Sequence, residues 1–170
     1  MTGPDQAGAD EVDRIVAAWR RVRPDLDVAP LEVLSRVSRL ARHLDRYRAA
    51  AFAGSGLEPW EFDVLAALRR AGDPYQLSPG QLMTQTMVTS GTMTNRIDRL
   101  AARDLVQRLP DPDDGRGVIV RLTPDGARMV DAALESLLNR EQDLLAVLTG
   151  GQRTDLAGLL RRLVAPFDAG

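Results

Sequence analysis

The sequence predicts a mainly α-helical fold that carries one small β-hairpin. Apolar side chains recur every three or four positions over most of the 170 residues, which is the spacing of amphipathic helices. Two helix starts are marked by a hydroxyl cap followed by proline, at Ser78-Pro79 and at Thr123-Pro124. Two short apolar and β-branched runs flank the turn-forming stretch PDPDDGRG, which indicates the hairpin.

The N-terminal part of the chain predicts two amphipathic helices. Asp10 caps the first, which ends before Pro24 and carries the apolar residues Val12, Ile15, Val16, Trp19 and Val22. The second helix follows Pro30 and is broken at Gly54. Its apolar stripe lies opposite a face of arginines, namely Arg36, Arg39, Arg42 and Arg46.

The middle of the chain predicts three shorter helices and then the hairpin. Asp104 stands where a residue in the left-handed conformation is expected to end the third of them. The predicted helices run from Trp60 to Ala71, from Pro79 through Met83 and, after a turn at 86–89, from Ser90 to Asp104, and the strands are Leu105–Leu109 and Val118–Leu122.

Two long helices complete the chain. One runs from Pro124 toward Leu148, and the other follows Gly151 and ends before Pro166. Their apolar faces, together with those of the first two helices, exceed what the small hairpin-bearing domain can cover. We therefore expect a homodimer.

Composition excludes several classes of protein. The absence of cysteine excludes a disulfide framework, a thiolate zinc site and a thiol redox sensor. The single histidine, His43, is expected to be an ordinary helix-surface or interface residue, so neither a metal site nor a cofactor is predicted. The acidic N-terminus and the lack of a long apolar run predict a cytoplasmic protein with no membrane contact.

Overall charge does not point to nucleic acid. The net charge is -2, whereas DNA-binding domains are usually basic. All 22 basic residues are arginine, whose planar guanidinium suits phosphate and guanine. A genomic bias in composition explains the same preference and is the favoured explanation.

Two short helices joined by a tight turn and followed by a hairpin are the order of a winged helix-turn-helix. Small polar side chains let the second helix enter a major groove, where hydroxyls contact phosphates and asparagine reads adenine. The predicted DNA-binding residues here are Ser78, Thr89, Ser90, Thr92, Thr94, Asn95 and Arg99. The alternative is a surface helix whose threonines only cap and contact water.

The hairpin tip adds two candidates for DNA binding, Asp114 and Arg116. An aspartate two residues before an arginine can hold the guanidinium by a charge-assisted hydrogen bond and direct it into a narrow minor groove. The alternative is a solvated turn, because Asp111, Asp113 and Asp114 would repel phosphate if they pointed outward.

The stretch from GLEPWEFDVLAALRRAG through LSPGQLMTQTMVTSGTMTNRIDRLAARDLVQRLPDPDDGRGVIVRLTPDG resembles the MarR family of bacterial transcription regulators. Its most specific parts are SGTMTNRIDRL, the DGR of the wing and the LTPDG entry to the next helix. The resemblance implies a homodimer that binds a pseudo-palindromic double-stranded DNA operator. We expect dimerisation and pocket helices in 1–56, the DNA-binding domain in 57–122 and dimerisation helices in 123–170. The sequence departs from the family at Asp104, where glycine is usual.

A narrower resemblance concerns the ligand. The N-terminal helix with Trp19, the RPDLD segment, EFDVLAALRRAGDPYQLSP and TNRIDRL are similar to the urate-responsive (PecS/UrtR-like) branch of the family, which carries this extra helix. The matching implies a site for a small anion at Trp19, Asp63, Arg96 and Arg108. The alternatives are core packing for Trp19, a solvated or capping charge for Asp63, and phosphate contacts for the two arginines.

These observations predict a ligand-responsive transcriptional regulator, a repressor released from its operator by urate or by another small acid such as aconitate. An enzyme is not expected, because the chain has no nucleophile elbow, phosphate loop, Rossmann fingerprint or metal-spaced histidine cluster. No catalytic residue is therefore predicted. The remaining alternative is a winged-helix protein-interaction module that does not bind DNA.

Overall fold

A computed structural model describes residues 8–112 and 117–168. This part of the chain is mainly helical with one small antiparallel sheet, which confirms the predicted fold class. The helices are α1 (Glu11–Val22), α2 (Ala29–Ala53), α3 (Pro59–Arg70), α4 (Pro79–Thr86), α5 (Ser90–Ala102), α6 (Pro124–Leu145) and α7 (Gly150–Asp168). The strands are β1 (Gln76–Leu77), β2 (Val106–Pro110) and β3 (Val118–Leu122).

The chain forms two compact units, 1–47 and 48–170, whose boundary falls within α2. In the first unit, Asp10 and Asp13 form a capping box, each carboxylate accepting the backbone N–H of the other residue. Arg36 donates to both carboxylates, at 2.9 Å and 2.6 Å. Part of the arginine face of α2 therefore binds acidic side chains of α1.

Only part of the predicted apolar stripe of α1 is buried. Val12 and Val16 form a small core with Val28, whereas Trp19 is 46% exposed and Ile15 and Val22 are exposed as well. Core packing of Trp19 is therefore not observed. The reason is the geometry of the helix. Val12 and Val16 are one turn apart and lie in one row, whereas Ile15, Trp19 and Val22 form the adjacent row. The small core covers only the row of Val12 and Val16.

The core of the second unit is built around α3, which packs against α4 and α6. Phe62, Leu65 and Leu68 are buried, and their spacing of three residues puts them on one face of α3. Phe52, at the end of α2, stacks on Phe62 with 4.0 Å between ring centroids. The apolar stripe of α5, Met93, Ile97 and Leu100, also faces this core.

The sheet has the order β1-β3-β2, so β3 is the central strand. β2 and β3 form the predicted hairpin, in which Arg108 lies opposite Val120. β1 was not predicted, because two residues are too short to show a strand period. β1 pairs Gln76 with Arg121, whose guanidinium also donates to the Gln76 side chain at 2.7 Å.

Helix ends were predicted with mixed success. Asp104 adopts the left-handed conformation, with φ of 57°, as expected after α5. The last helix was expected to begin after Gly151 and to end before Pro166, and both bounds are wrong. Reciprocal hydrogen bonds between Thr149 and Gln152 cap α7 ahead of its glycines. Pro166 lies inside α7, two residues before its end at Asp168, so that almost no helix follows the proline.

Within the described part of the chain, no helix combines the length and the hydropathy that crossing a bilayer requires.

Candidate nucleic-acid interface

A helix-turn-helix is formed by α4 and α5. Ser78 caps α4 by accepting the backbone N–H of Gln81 at 3.2 Å, and the Gln81 side chain accepts the N–H of Ser78 at 2.8 Å. Met87 ends α4 in the left-handed conformation, with φ of 52°, and lets the chain reverse toward Thr89, the residue before α5. The Ser78 hydroxyl thus already has a structural partner.

The candidate side chains of α5 lie opposite its buried stripe. Thr89, which precedes α5, and Thr92 are exposed, and their hydroxyl oxygens are 3.1 Å apart. Ser90, Thr94 and Asn95 are exposed too. Short hydroxyl and amide side chains at a helix N-terminus, free of bulk, are suited to reading base edges and contacting phosphates.

A groove of about 380 Å³ runs beside this surface. It is lined by Trp60, Gly91, Thr92, Asn95, Arg96 and Arg99. The Arg99 guanidinium carbon lies 4.6 Å from the centre of the Trp60 ring, and that of Arg96 lies 5.5 Å from it. The groove therefore combines two cations, an aromatic face and hydrogen-bonding groups, which is the chemistry of a nucleic-acid contact.

Arg108 is bound to α5 from the neighbouring strand. Its guanidinium pairs with Asp98 at 2.7 Å, and both side chains are exposed. An anion that takes Arg108 as a partner must therefore compete with Asp98.

Asp63 lies in a different cavity, of about 340 Å³. It is exposed and pairs with Arg48 at 3.4 Å. The cavity is walled by apolar residues of α3 and α6 and rimmed by charges, including Arg69, which binds Asp131 in a bidentate pair at 2.9 and 3.0 Å. This hydrogen bonding raises the pKa of the Arg69 guanidinium. Asp63 and Arg96 thus line separate cavities of the second unit, and Trp19 belongs to the first unit.

Asp114 and Arg116, the predicted tip of the wing, lie outside the described residues. At the base of the tip, the backbone N–H of Asp111 donates to the carbonyl of Gly117 at 3.0 Å. Among the residues that the structure describes, no group of three or more acidic, histidine or cysteine side chains could hold a metal ion. His43 is exposed on α2.

Three residues that contact the candidate side chains were not predicted from the sequence. The ring of Trp60 lies under the guanidinium groups of Arg96 and Arg99. Glu58 pairs with Arg99 at 3.4 Å, and Asp98 pairs with Arg108. Trp60 is one of only two tryptophans and stands between Pro59 and Glu61 at a helix start. A tryptophan has an apolar body and a polar N–H, so its position beside two acidic residues at a helix start was a signal for a role at the edge of the core.

Comparison with known proteins gives concordant results. The family model described as MarR family matches residues 55–117. The HTH-type transcriptional regulator PecS of Dickeya dadantii is 38% identical over 90% of this chain and 92% of its own length. The HTH-type transcriptional repressor NicR of Pseudomonas putida is 34% identical over 82% of this chain and 89% of its own.

Two solved structures are similar to this chain over most of its length. A cysteine-to-serine variant of Escherichia coli MarR, in complex with operator DNA, aligns with a TM-score of 0.67 and 26% identity, over 86% of this chain and 97% of that one. BpsR of Bordetella bronchiseptica aligns with a TM-score of 0.58 and 31% identity, over 75% of this chain and 98% of the BpsR chain. Its structure is described with a mechanism for regulation of DNA binding by 6-hydroxynicotinic acid.

Proposed function

This chain belongs to the MarR family of DNA-binding transcriptional regulators, and we propose that it acts as a homodimeric repressor that a small organic anion releases from a pseudo-palindromic operator. It is not an enzyme, since its relatives are regulators of transcription. The observation that carries the proposal is the exposed polar surface of α5, where small side chains and two arginines line one groove.

The recognition helix is α5. Thr92, Thr94 and Asn95 are exposed on it, and we expect them to contact base edges in a major groove. Thr89, Ser90 and Arg99 serve phosphate contacts, which give affinity and register. Ser78 contributes to DNA binding indirectly, by capping α4. DNA contact by Asp114 and Arg116 of the wing stays a prediction.

Operator binding is tested with a random duplex library, from which the purified protein selects its site. We expect enrichment of two half-sites about one helical turn, roughly 34 Å, apart. Asn95→Ala should weaken binding to the selected duplex by about 1–3 kcal/mol and relax the preference at one base pair of each half-site. Arg153→Ala, an exposed change on α7, is the control. Selection of no duplex, or an Asn95→Ala variant as selective as wild type, would contradict the proposal.

Exposed apolar surface supports the homodimer. In the second unit, α6 and α7 expose Leu134, Leu138, Leu156, Leu159 and Leu163. In the first unit, α2 exposes Val33, Leu34 and Leu40. Contiguous apolar faces of this kind are rare on monomeric proteins, so a second copy of the chain is the occupant that we propose.

The similarity to the regulator PecS supports a small anion as the effector. Arg96 and Arg108 would each attract an anion, which competes with Asp98 at Arg108, whereas Asp63 lines a separate cavity and would act on the anion over a longer distance. A planar heterocyclic acid regulates the similar BpsR protein, and urate is a planar anion of comparable size. Aconitate is the second candidate, because two arginines suit any small carboxylate. Trp19 stays a prediction from the resemblance to the urate-responsive branch.

The proposed response is tested by titrating the selected duplex with urate, aconitate and 6-hydroxynicotinate in separate experiments. At saturation, the effective anion should weaken the DNA complex by roughly five- to 150-fold, the range typical of allosteric coupling. Asp63→Asn should bind DNA normally and respond less, since the repelled charge is removed while the side-chain shape remains. Asp155→Asn, an exposed change on α7, should respond as wild type does.

If none of the three anions changes DNA affinity, or if Asp63→Asn responds fully, the proposed response is wrong. The DNA-binding assignment is then unaffected, because it is measured without any anion.

A further inference from the structure

Trp60 lies in the first turn of α3, partly buried against the core of the second unit and beside α5. The guanidinium groups of Arg96 and Arg99 both lie over its ring, at 5.5 Å and 4.6 Å from the centroid. These distances are within the range of cation–π attraction. One indole ring thus contacts two arginines of α5 that are one helical turn apart.

The ring is itself held in place. The indole Nε1–H of Trp60 donates a hydrogen bond to the carboxylate of Glu58, the residue that caps α3. The same carboxylate lies 3.4 Å from the Arg99 guanidinium. Glu58 therefore orients the indole and also supplies an anionic partner for Arg99.

Holding the arginines matters because a free arginine side chain loses much rotamer freedom when it binds a phosphate. A side chain that is already oriented loses less, and affinity rises accordingly. The aromatic face attracts a guanidinium without competing for its N–H donors, all of which remain available for phosphate oxygens. Glu58 differs in this respect, since a phosphate that binds Arg99 competes with its carboxylate.

We propose that Trp60 is a positioning residue for DNA binding, whose ring keeps Arg96 and Arg99 oriented in the groove beside α5 for contact with DNA phosphates. This inference rests on the proposed binding of operator DNA through α5. In the proposed complex, a DNA phosphate replaces the Glu58 carboxylate as the partner of Arg99, while the contact of Arg99 with the Trp60 ring persists.

The test is a double-mutant cycle on the full-length protein, with the duplex selected by wild type as the probe. Trp60→Leu should weaken binding by about 5- to 30-fold, because each of the two arginine side chains would then lose its rotamer freedom on binding DNA. Trp60→Phe should lose less, because it keeps an aromatic face. In a background of Arg96→Ala with Arg99→Ala, Trp60→Leu should change affinity by less than about twofold, since the side chains on which it acts are absent.

A second measurement needs no DNA. Protons of the Arg99 side chain should resonate upfield of their ordinary positions in the NMR spectrum of the free protein, because they lie over the indole ring. Trp60→Leu should remove this shift while leaving the melting temperature within a few degrees of wild type.

Three results would overturn the inference. They are equal DNA affinity of wild type and Trp60→Leu, a loss that persists in the double-arginine background, and absence of the upfield shift in the wild-type protein. Failure of the wild-type protein to select any duplex is a separate result, which overturns the proposed function as well.

Discussion

At the residue scale, Glu61 is a buried carboxylate whose charge is balanced by one arginine. Its side chain is 3% exposed, and both of its oxygens accept hydrogen bonds from Nη1 of Arg103 at 2.7 Å. The same guanidinium donates through Nη2 to the carbonyl of Gly56 at 2.9 Å. Arg103 thus connects the start of α3, the turn before it and the C-terminal cap of α5.

Arg103→Ala should therefore destabilise the protein strongly. The buried carboxylate of Glu61 would lose its balancing charge, and we expect a fall in the free energy of unfolding of about 2–4 kcal/mol, somewhat below the cost for a fully buried pair because Arg103 is partly exposed. Urea denaturation measures it. Arg128→Ala, which breaks an exposed pair with Asp125, is the control and should cost about 0–1 kcal/mol. Equal losses in the two variants would show that burial of Glu61 adds nothing.

Asp10 gives a prediction on pH. The hydrogen bond from Arg36 and the backbone N–H of Asp13 lower its pKa from 3.8 to about 2. A lowered pKa in the folded state means that the ionised carboxylate stabilises α1 above pH 3.8 and that this contribution is lost as the pH falls toward 2.

An NMR titration of the Asp10 carboxyl carbon should therefore give a midpoint near 2. In Arg36→Ala the midpoint should move up toward the ordinary value, since the main cause of the shift has gone. A midpoint that is the same in both proteins would rule out Arg36 as the cause.

At the scale of elements, the junction between the wing and α6 depends on Gly126. A Cβ atom at this position would lie 2.2 Å from the Leu105 carbonyl oxygen and 2.9 Å from a methyl group of Leu122. Thr123 caps α6 there by accepting the N–H of Gly126 at 3.0 Å, and its hydroxyl donates to the Asp104 carbonyl at 2.7 Å. The first turn of α6 can therefore approach the strands only with glycine at this point.

Gly126→Ala should lower the free energy of unfolding by about 1–3 kcal/mol, the usual cost of overpacking. The clash is with backbone, which cannot move aside as a flexible side chain can. Gly80→Ala in α4 is the matched control, because the nearest atom to its Cβ would be 3.8 Å away. Thermal melting of both variants should show a lower midpoint for Gly126→Ala alone.

The elements that sequence could predict are those whose signal is local. Each of these elements depends on a few neighbouring residues, and the structure has them as expected. They are the helix caps at Ser78 and Thr123, the apolar stripe of α5 and the left-handed conformation of Asp104. The two-residue β1 has no period of its own and exists only because β3 lies beside it.

The candidate site was likewise predictable only where its signal is local. The exposed polar face of α5 follows from the position of its apolar stripe, which sequence shows. The contacts of Arg99 with Trp60 and Glu58 do not follow, because they join residues about 40 positions apart whose proximity depends on how α3 packs in the core. The pairing of Arg108 with Asp98 was missed for a similar reason, since it depends on the angle at which β2 leaves α5.

At the scale of the whole molecule, β3 joins the wing to the segment that precedes the helix-turn-helix. It pairs with β2 on one side and with β1 on the other, and β1 leads directly into α4. Arg121 strengthens this connection by donating to the Gln76 side chain. The wing strands and α4 are therefore expected to move together within the second unit.

The homodimer is the prediction that belongs to this scale. Light scattering at micromolar concentration should report a mass near twice 18.6 kDa. Leu159 is 57% exposed in the single chain and lies on an apolar face of α7. Leu159→Glu should therefore weaken the dimer, because it places a charge on that face. Val118→Glu, on an exposed position of the wing, should leave the mass unchanged. A wild-type mass near 18.6 kDa would exclude the dimer.

The way in which α5 is held has a consequence for how such a regulator diversifies. Only Met93, Ile97 and Leu100, of its 13 residues, are buried. Substitutions at the solvent-facing positions leave the core intact, so selection for a new operator and selection for folding act on different residues of one helix. Duplicated copies of the gene can thus acquire new operators without losing a stable fold. A laboratory library restricted to Thr92, Thr94 and Asn95 should likewise yield folded regulators of altered specificity.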